Sequence, residues 1–457
     1  MLRDGTMINI SIPNICVPEI SYVVEILFNE LLGLSYSIST YENLRFYRID
    51  LENGKTLFIA NEFFKTDNLQ ELYVNDNIPE EVLEDVIIVD DNSFKICPIY
   101  GNASLNNEKD KLILSCDIIS SSFFMLSRWE EYCQKERDEH DRFLFKHALS
   151  IKCDFYHIPV VNQYVDLLYA LLRKMGLKQE RASHRTQITL SHDIDYLSKW
   201  SNFNSFKSAI ISNIKSKNIN ALIRASSSFI LNRLGIQKDP YNTLKFLANI
   251  AKENGFKSIF YFMVNKTDER FDRFDYRLNS EKLKNLLIEL KDIGSEFGIH
   301  PSYNTYQSEL ALKNEIDLIN KELTSTISRS RQHYLRIDIP VTTRYLNRLG
   351  IKEDSTLLYG PRIGFRNGIC HRFKMFDFKE RSMLDIYQLP LIFMENHHLI
   401  RESEDVEHEL SAVMKLVRKY HGNVSLLWHN SNLDTKLKRN RFHSFLSQIV
   451  PETKVKS

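Results

Sequence analysis

The sequence predicts an α/β protein in two parts: a smaller α/β domain, then a part built of β-α units around a parallel sheet, open or closed into a barrel. Three observations lead there. The chain has 457 residues, more than one ordinary core accommodates. The amphipathic helix HIPVVNQYVDLLYALLRKMG closes on Gly176 and is followed by the polar, aperiodic stretch LKQERASHRTQ. From Thr186 onward short apolar strands alternate with helical segments at the spacing of βαβ units. The boundary therefore falls near residue 183, giving 1–183 and 184–457.

In the first part, PEISYVVEILFNELLG has helical spacing and stops at Gly33. LRFYRIDLENGKTLFIANEFF reads as two alternating strands around Glu52-Asn53-Gly54, a turn that asparagine and glycine favour because both tolerate positive φ. DIISSSFFMLSRWEEYC reads as a buried helix with acids at its end. In the second part, QITLSHD, KSIFYFMV, SEFGIH, a stretch within TISRSRQHYL, STLLY, DIYQLPLIFM and NVSLLWHN are the expected strands. DPYNTLKFLANIAKENG, NSEKLKNLLIELKDIG, SELALKNEIDLINKELT and DVEHELSAVMKLVRKYHG are the helices, several opening on a cap and closing on glycine. A long helical insertion occupies about 203–235.

Composition narrows the class. Hydrophobic content of 43% and charged content of 26% are those of a soluble globular protein. Sixty basic against 59 acidic residues give a net charge of +1, a near-balance that leaves no electrostatic footprint for nucleic acid or an anionic membrane. Cys16, Cys97, Cys116, Cys133, Cys153 and Cys370 form no C-x-x-C pair and read as reduced thiols. The N-terminal residues lack the apolar core of a signal peptide, and no apolar run approaches the 18–20 or so residues of a spanning helix. The expectation is a cytoplasmic soluble protein.

The chemistry-bearing stretch is TQITLSHDIDYLSKW, where an apolar strand runs directly into His192, Asp193 and Asp195. Carboxylates this close repel, so a fold gains from them only where a metal, a proton or a cation sits among them. In α/β folds reacting groups collect at the carboxyl ends of parallel strands. The other strand ends supply His300, Arg331 with His333, and His429 with Asn430. A lone histidine there is more often a satisfied structural residue than a ligand. Several on one rim make a carboxylate–imidazole set of the kind divalent cations accept.

These residues carry a resemblance. S-H-D-I-D, then G-I-H-P-S-Y-N, then R-Q-H-Y, then L-L-W-H-N, together with FFMLSRWEEY and GFRNGIC, resemble in order the motifs of the NodB-type polysaccharide deacetylases (carbohydrate esterase family 4), in a bacterial subgroup with an extra N-terminal domain. The resemblance implies a distorted (β/α) barrel and a metal-dependent hydrolase that removes acetyl groups from N-acetylated sugars or glycan intermediates. It implies one divalent metal, zinc first, with cobalt or nickel as alternatives. Carried over residue by residue, Asp193 would be the general base, Arg331 its ion-pair partner, Asp195 and His300 metal ligands, and His429 the general acid. The family's second metal histidine would fall at Asn304, an amide here. His333 is then the expected third ligand, with His192 and Asn304 as alternatives, although strand alternation turns His192 away from Asp193.

Weaker candidates complete the set. Tyr303, Tyr334 and Trp428 are expected sugar-stacking or substrate-binding residues, with core packing as the competing role, and the backbone N–H of Tyr334 is a candidate oxyanion donor. Arg366, in the glycine-rich YGPRIGFRNGIC, could grip a substrate carboxylate or phosphate. The adjacent histidines of ENHHL read as a surface turn, and Trp129-Glu130-Glu131 as a structural helix end. No G-x-S-x-G or supported cysteine nucleophile occurs. The competing functional class is a non-catalytic glycan- or partner-binding protein on a degenerate deacetylase scaffold; another metal-dependent amide hydrolase, such as one acting on a cyclic ureide, is a third reading.

Overall fold

A computed structural model of the protein describes residues 8–42, 45–201, 203–396 and 403–450. The chain forms a mixed α/β architecture and divides into two compact units. The first comprises Met1–Thr186, Leu335–Ile392 and Lys415–Val424; the second comprises Gln187–Tyr334, Phe393–Met414 and Ser425–Ser457.

The first unit holds a six-stranded sheet in the order Tyr36–Tyr41, Ile8–Pro13, Phe46–Asp50, Thr56–Ala60, Lys111–Cys116, Gly101–Glu108. The predicted hairpin is its centre: Phe46–Asp50 pairs antiparallel with Thr56–Ala60, and Gly54 takes φ +81° in the turn. The buried helix expected from DIISSSFFMLSRWEEYC is two helices, Ile118–Ser127 and Trp129–Cys133. Arg128 between them adopts φ +58°, a conformation that ends an α-helix. The predicted amphipathic helix forms over Val160–Lys174, burying Tyr164, Leu167, Leu168, Leu171 and Leu172 on its inner face.

Two strand predictions in this region differ from the structure. The residues STLLY, 355–359, form no strand; the ladder there is Glu353–Asp354. The Thr356 backbone N–H and hydroxyl both turn back onto the Asp354 carboxylate, at 2.8 Å each, and the extended run stops. DIYQLPLIFM is split into Ser382–Gln388 and Leu391–Met394. Pro390 has no N–H to donate, which breaks the ladder where it sits.

The second unit is organised by strands Arg329–Ser330, Glu296–Ile299, Lys257–Phe262 and Gln187–Ile194, followed in the same sheet order by Asn423–Leu427 and Leu391–Met394. The first four pair in parallel. Seven of the eight residues of Gln187–Ile194 are buried, as a strand covered on both faces requires. Register places Tyr261 beside Asp193, and Ile299 beside both Phe262 and Ser330, so these strands end nearly level. Helices Leu244–Asn254, Glu281–Ile293 and Glu309–Leu323 make the returns. Gly255 and Gly294 close the first two at φ +72° and +106°. The first helix begins at Leu244, later than its Asp-Pro start predicts. The Asp239 carboxylate is taken up by the N–H groups of Lys199, Trp200 and Tyr241. The insertion forms two helices, Phe203–Lys215 and Ile219–Arg233. No helix among the described residues is long and apolar enough to cross a membrane.

Candidate active site

The site is built where the strands of the second unit end. Asp193 and Asp195 leave Gln187–Ile194, His300 follows Glu296–Ile299, Arg331 and His333 follow Arg329–Ser330, Glu395 follows Leu391–Met394, and His429 follows Asn423–Leu427. Level strand ends converge these side chains although more than 200 residues separate the first from the last.

Asp195 is the hub. Its Oδ1 lies 3.8 Å from His300 Nε2 and 3.9 Å from His333 Nε2, and its Oδ2 lies 3.9 Å from His429 Nε2. Asp195, His300 and His333 each turn a ligand atom into a space where all three lie within 4.8 Å of one another. Oδ1 of Asp195 is shielded from water yet accepts no hydrogen bond, an orphaned acceptor that a bound cation would satisfy.

The two imidazoles are held from behind. His300 Nδ1–H donates to the Arg331 carbonyl at 2.6 Å, and because that oxygen can only accept, Nε2 is left as the lone-pair nitrogen. His333 Nδ1–H donates to Asp272 Oδ1 at 2.9 Å. A carboxylate behind an imidazole fixes its tautomer and raises its basicity toward a metal. Asp272 is itself fully buried and held by the N–H groups of Thr267 and Asp268 on one oxygen and of Tyr303 on the other. Burial alone would raise its pKa; His333 and these N–H donors together hold it below the usual carboxylate value. Burial likewise holds His300 below the ordinary imidazole value, against the opposing pull of Asp193, so it is a neutral donor.

Asp193 sits beside this set with its Oδ2 3.8 Å from His300 Nε2. Its Oδ1 receives Arg331 Nη1 at 3.1 Å; the same guanidinium reaches Ser191 Oγ at 2.8 Å and Ser425 Oγ at 3.1 Å and lies over the Tyr261 ring at 4.6 Å. Burial would push the carboxyl up, but Arg331 and then His300 and His429 hold it below its usual value, so Asp193 is ionised. Gly298 keeps this support in place: a Cβ there would come within 2.5 Å of the Tyr261 ring.

His429 has its own carboxylate. Its Nδ1–H donates to Glu395 Oε1 at 2.5 Å, and Glu395 also accepts from the His429 N–H at 3.1 Å and from Asn432 Nδ2 at 2.7 Å. Burial disfavours the imidazolium, but Glu395, reinforced by Asp195 and Asp193, raises the His429 pKa to about 10. At neutral pH the pair is an imidazolium with its Nε2–H turned toward Asp195. The side chains of Asp195 and His429, 27% and 17% exposed, are the solvent-facing members, whereas Asp193, His300 and Arg331 are sealed beneath.

An aromatic trio flanks His333. Tyr303 stacks on Phe271 with centroids 4.1 Å apart, and Tyr334 meets both edge-on at 5.4 and 5.3 Å and His333 at 4.7 Å. Tyr334 holds φ +57°, a strained value for a bulky residue.

The remaining candidates lie elsewhere. His192 points to the opposite strand face, donates Nδ1–H to the Trp428 carbonyl at 2.7 Å and packs on Phe260; burial lowers its pKa to about 4. Asn304 is exposed, its side-chain amide directed at the Thr267 carbonyl at 3.4 Å. Trp428 is 2% exposed and packs among Phe442, Phe445 and Phe393, a core position. The Arg366 guanidinium, in the first unit, is spent on both Glu131 oxygens at 2.9 and 2.6 Å and on the Leu358 carbonyl at 2.9 Å.

Asp272 and Glu395 are the members that sequence reading passed over. Glu395 directly follows the apolar run PLIFM, the same signature that singles out Asp193, and at 2% exposure it does not belong to the surface turn read from ENHHL. The two histidines of that turn lie outside the described residues. Asp272 is one of four acids in TDERFDRFD, and nothing in a single sequence distinguishes it from Asp268 or Asp275.

A model for a family of unknown function (DUF7033) matches residues 8–177. A search of curated proteins returned no match. Among solved structures, the chain is similar to a protein from Mycobacterium smegmatis assigned as a polysaccharide deacetylase, with a TM-score of 0.38 and 11% identity over 59% of this chain and 86% of that one. It is also similar to a family 4 carbohydrate esterase from Streptomyces lividans in complex with acetate, with a TM-score of 0.28 and 8% identity over 58% and 91% of the two chains.

Proposed function

We propose that the protein is a metal-dependent hydrolase that removes acetyl groups from N-acetylated sugars or glycan intermediates, with its catalytic part within 184–457 arranged as a distorted barrel. The observation that carries the reading is the orphaned Asp195 oxygen facing two imidazoles whose tautomers are fixed from behind, with an ionised base on one side and an imidazolium on the other. One carboxylate oxygen and two imidazole nitrogens suit a divalent cation of the zinc, cobalt or nickel type. Such a cation, held by Asp195, His300 and His333, would polarise an acyl carbonyl and acidify water.

The chain's own groups supply the proton transfers. Asp193, kept ionised by Arg331, takes a proton from the attacking water. The amide C–N bond breaks only when its nitrogen is protonated, and the solvent-facing Nε2–H of His429 is the donor. Glu395 acts on His429 as a positioning residue, fixing the ring and sustaining its charge. The half-buried rings of Tyr334 and Phe271, backed by the buried Tyr303, offer apolar area of the kind a pyranose ring covers. Removal of acetyl groups, rather than another acyl amide, rests on the motif order S-H-D-I-D, G-I-H-P-S-Y, R-Q-H-Y, L-L-W-H-N.

The testing experiment is metal content by mass spectrometry on protein purified without chelator, followed by acetate release from N-acetylated sugar oligomers. About one divalent metal per chain is expected, lost in His300→Ala and in His333→Ala. Retention in His333→Ala alone would move the third ligand elsewhere; absence of metal after reconstitution with Zn²⁺, Co²⁺ or Ni²⁺ would refute the hydrolase.

A smaller effect is expected at Glu395. Glu395→Gln keeps the ring's hydrogen-bonding shape but removes the charge that sustains the imidazolium. It should lower kcat by about 10–100-fold with KM unchanged and should bring the alkaline limb of the pH–rate profile to lower pH. An unmoved profile would exclude the positioning role.

A further inference from the structure

We infer that the helical hairpin inserted after the first strand of the second unit is a docking surface for the anionic face of a lipid bilayer. This goes beyond the hydrolase reading and does not depend on it.

Helices Phe203–Lys215 and Ile219–Arg233 share a small aromatic cluster. Phe206 stacks on Phe229 with centroids 4.1 Å apart, Trp200 meets the two rings edge-on at 6.1 and 5.8 Å, and Trp200 Nε1–H donates to Ser228 Oγ at 3.1 Å. That cluster leaves most of the apolar content outside, and no residue of either helix is buried. Of the eighteen exposed large hydrophobic residues among those described, eight fall between 203 and 236; a further three lie at 83–88 and the other seven are isolated. A concentration of this kind marks an interaction surface. On each helix the exposed residues share a face. At 3.6 residues per turn, Ile219, Ile223 and Ile230 fall within an arc of about 40°, and Phe203, Ile211 and Ile214 within about 80°.

Charge identifies the occupant. From Tyr196 through Lys238 the sequence contains no aspartate or glutamate, and Lys207, Lys215, Lys217, Arg224, Arg233 and Lys238 are all exposed. Six cations in a chain of net charge +1 leave the remainder net negative. None of the six forms an ion pair among the described residues; Arg233 lies over the Phe229 ring at 5.3 Å. Helices that carry Ile, Leu and Phe on one face and unopposed Lys and Arg beside it lie in a bilayer interface, aliphatic groups at the acyl boundary and cations among lipid phosphates. A second copy of the chain would set the same cations against themselves across a two-fold axis. Nucleic acid would satisfy the cations but leave the aliphatic groups against phosphate and water.

The test uses the full chain with sedimentable vesicles of phosphatidylcholine alone and of phosphatidylcholine mixed with phosphatidylglycerol. Binding is expected to the mixed vesicles, weakening as salt rises, with little to phosphatidylcholine alone. The exposed-site variants Lys207→Glu/Lys215→Glu/Arg224→Glu and Ile219→Ser/Ile223→Ser/Ile230→Ser should keep wild-type circular dichroism and metal content. The first should lose binding on the order of 100-fold and the second at least about tenfold. Equal sedimentation of wild type and both variants, or none of wild type with anionic vesicles, overturns the proposal. So does a dimer in light scattering that the isoleucine variant dissolves while vesicles are ignored, or binding to duplex DNA tighter than to anionic vesicles.

Discussion

Asp193→Asn is expected to lose acetate release by on the order of 10³-fold or more while still holding about one metal per chain. The two halves of that result belong together. Asp193 is not in the cation-sized group formed by Asp195, His300 and His333, so removing its charge leaves those three donors in place. Asparagine keeps the shape and one acceptor for the Arg331 guanidinium, which now approaches Asp193 Oδ1 at 3.1 Å. What disappears is the ionised carboxylate that the proposed mechanism uses to accept a proton from water. Arg331 then faces a neutral amide, a change the hydrogen bonds from Arg331 to Ser191 and Ser425 partly absorb. Near-normal turnover would assign the base elsewhere; parallel loss of metal and activity would make Asp193 a ligand. His429→Ala, expected to lose on the order of 10²-fold at unchanged metal content, separates the leaving-group proton from the attacking water.

What the sequence disclosed about this site follows from backbone geometry. A strand fixes side-chain direction with period two, so Ser191, Asp193 and Asp195 had to share a face and His192 had to leave it, and each lies accordingly. Parallel strands end level, so polar residues directly after apolar runs are legible as one rim without a structure. The same rule applied without exception finds Glu395. Asp272 escapes it because it sits in the long connection after Lys257–Phe262, where no period constrains a side chain and only the folded loop decides which carboxylate meets His333. Fold elements divide likewise. Strongly periodic helices such as Val160–Lys174 and Glu309–Leu323 were readable, the latter with its Ser308 hydroxyl accepting the Ala311 N–H at 3.2 Å. The break at Arg128 and the arrest of a strand at Thr356 were not. Each depends on a long-range or side-chain hydrogen bond that hydrophobic spacing does not encode.

Arg366→Met is expected to destabilise the protein by up to about 3–5 kcal/mol, because it leaves the buried Glu130 and Glu131 to share the single cation Arg128. In the first unit Arg366 and Arg128 flank Tyr359 at 5.6 and 5.7 Å, and both guanidiniums serve Glu131. Glu130 shares Arg128 and takes the Leu149 N–H at 3.0 Å on its other oxygen. Burial pushes both carboxyls upward. Two cations overcome it at Glu131, whose pKa falls to about 2, whereas Glu130, with one, stays above its ordinary value. The sign for stability follows from Glu131. Its folded pKa lies below the unfolded value of about 4.3, so its pairing stabilises fully above that pH and the contribution is lost as pH falls toward 2. Urea unfolding should therefore show the deficit of Arg366→Met at pH 7 shrinking below pH 4. The double variant Arg366→Met/Glu131→Gln should recover part of the loss, because the stranded charge is gone. A single-variant deficit under 1 kcal/mol, or a double variant weaker than the sum of the two single changes, would show that the arginine is not held there to balance Glu131 and would return it to the pool of groups open to a ligand.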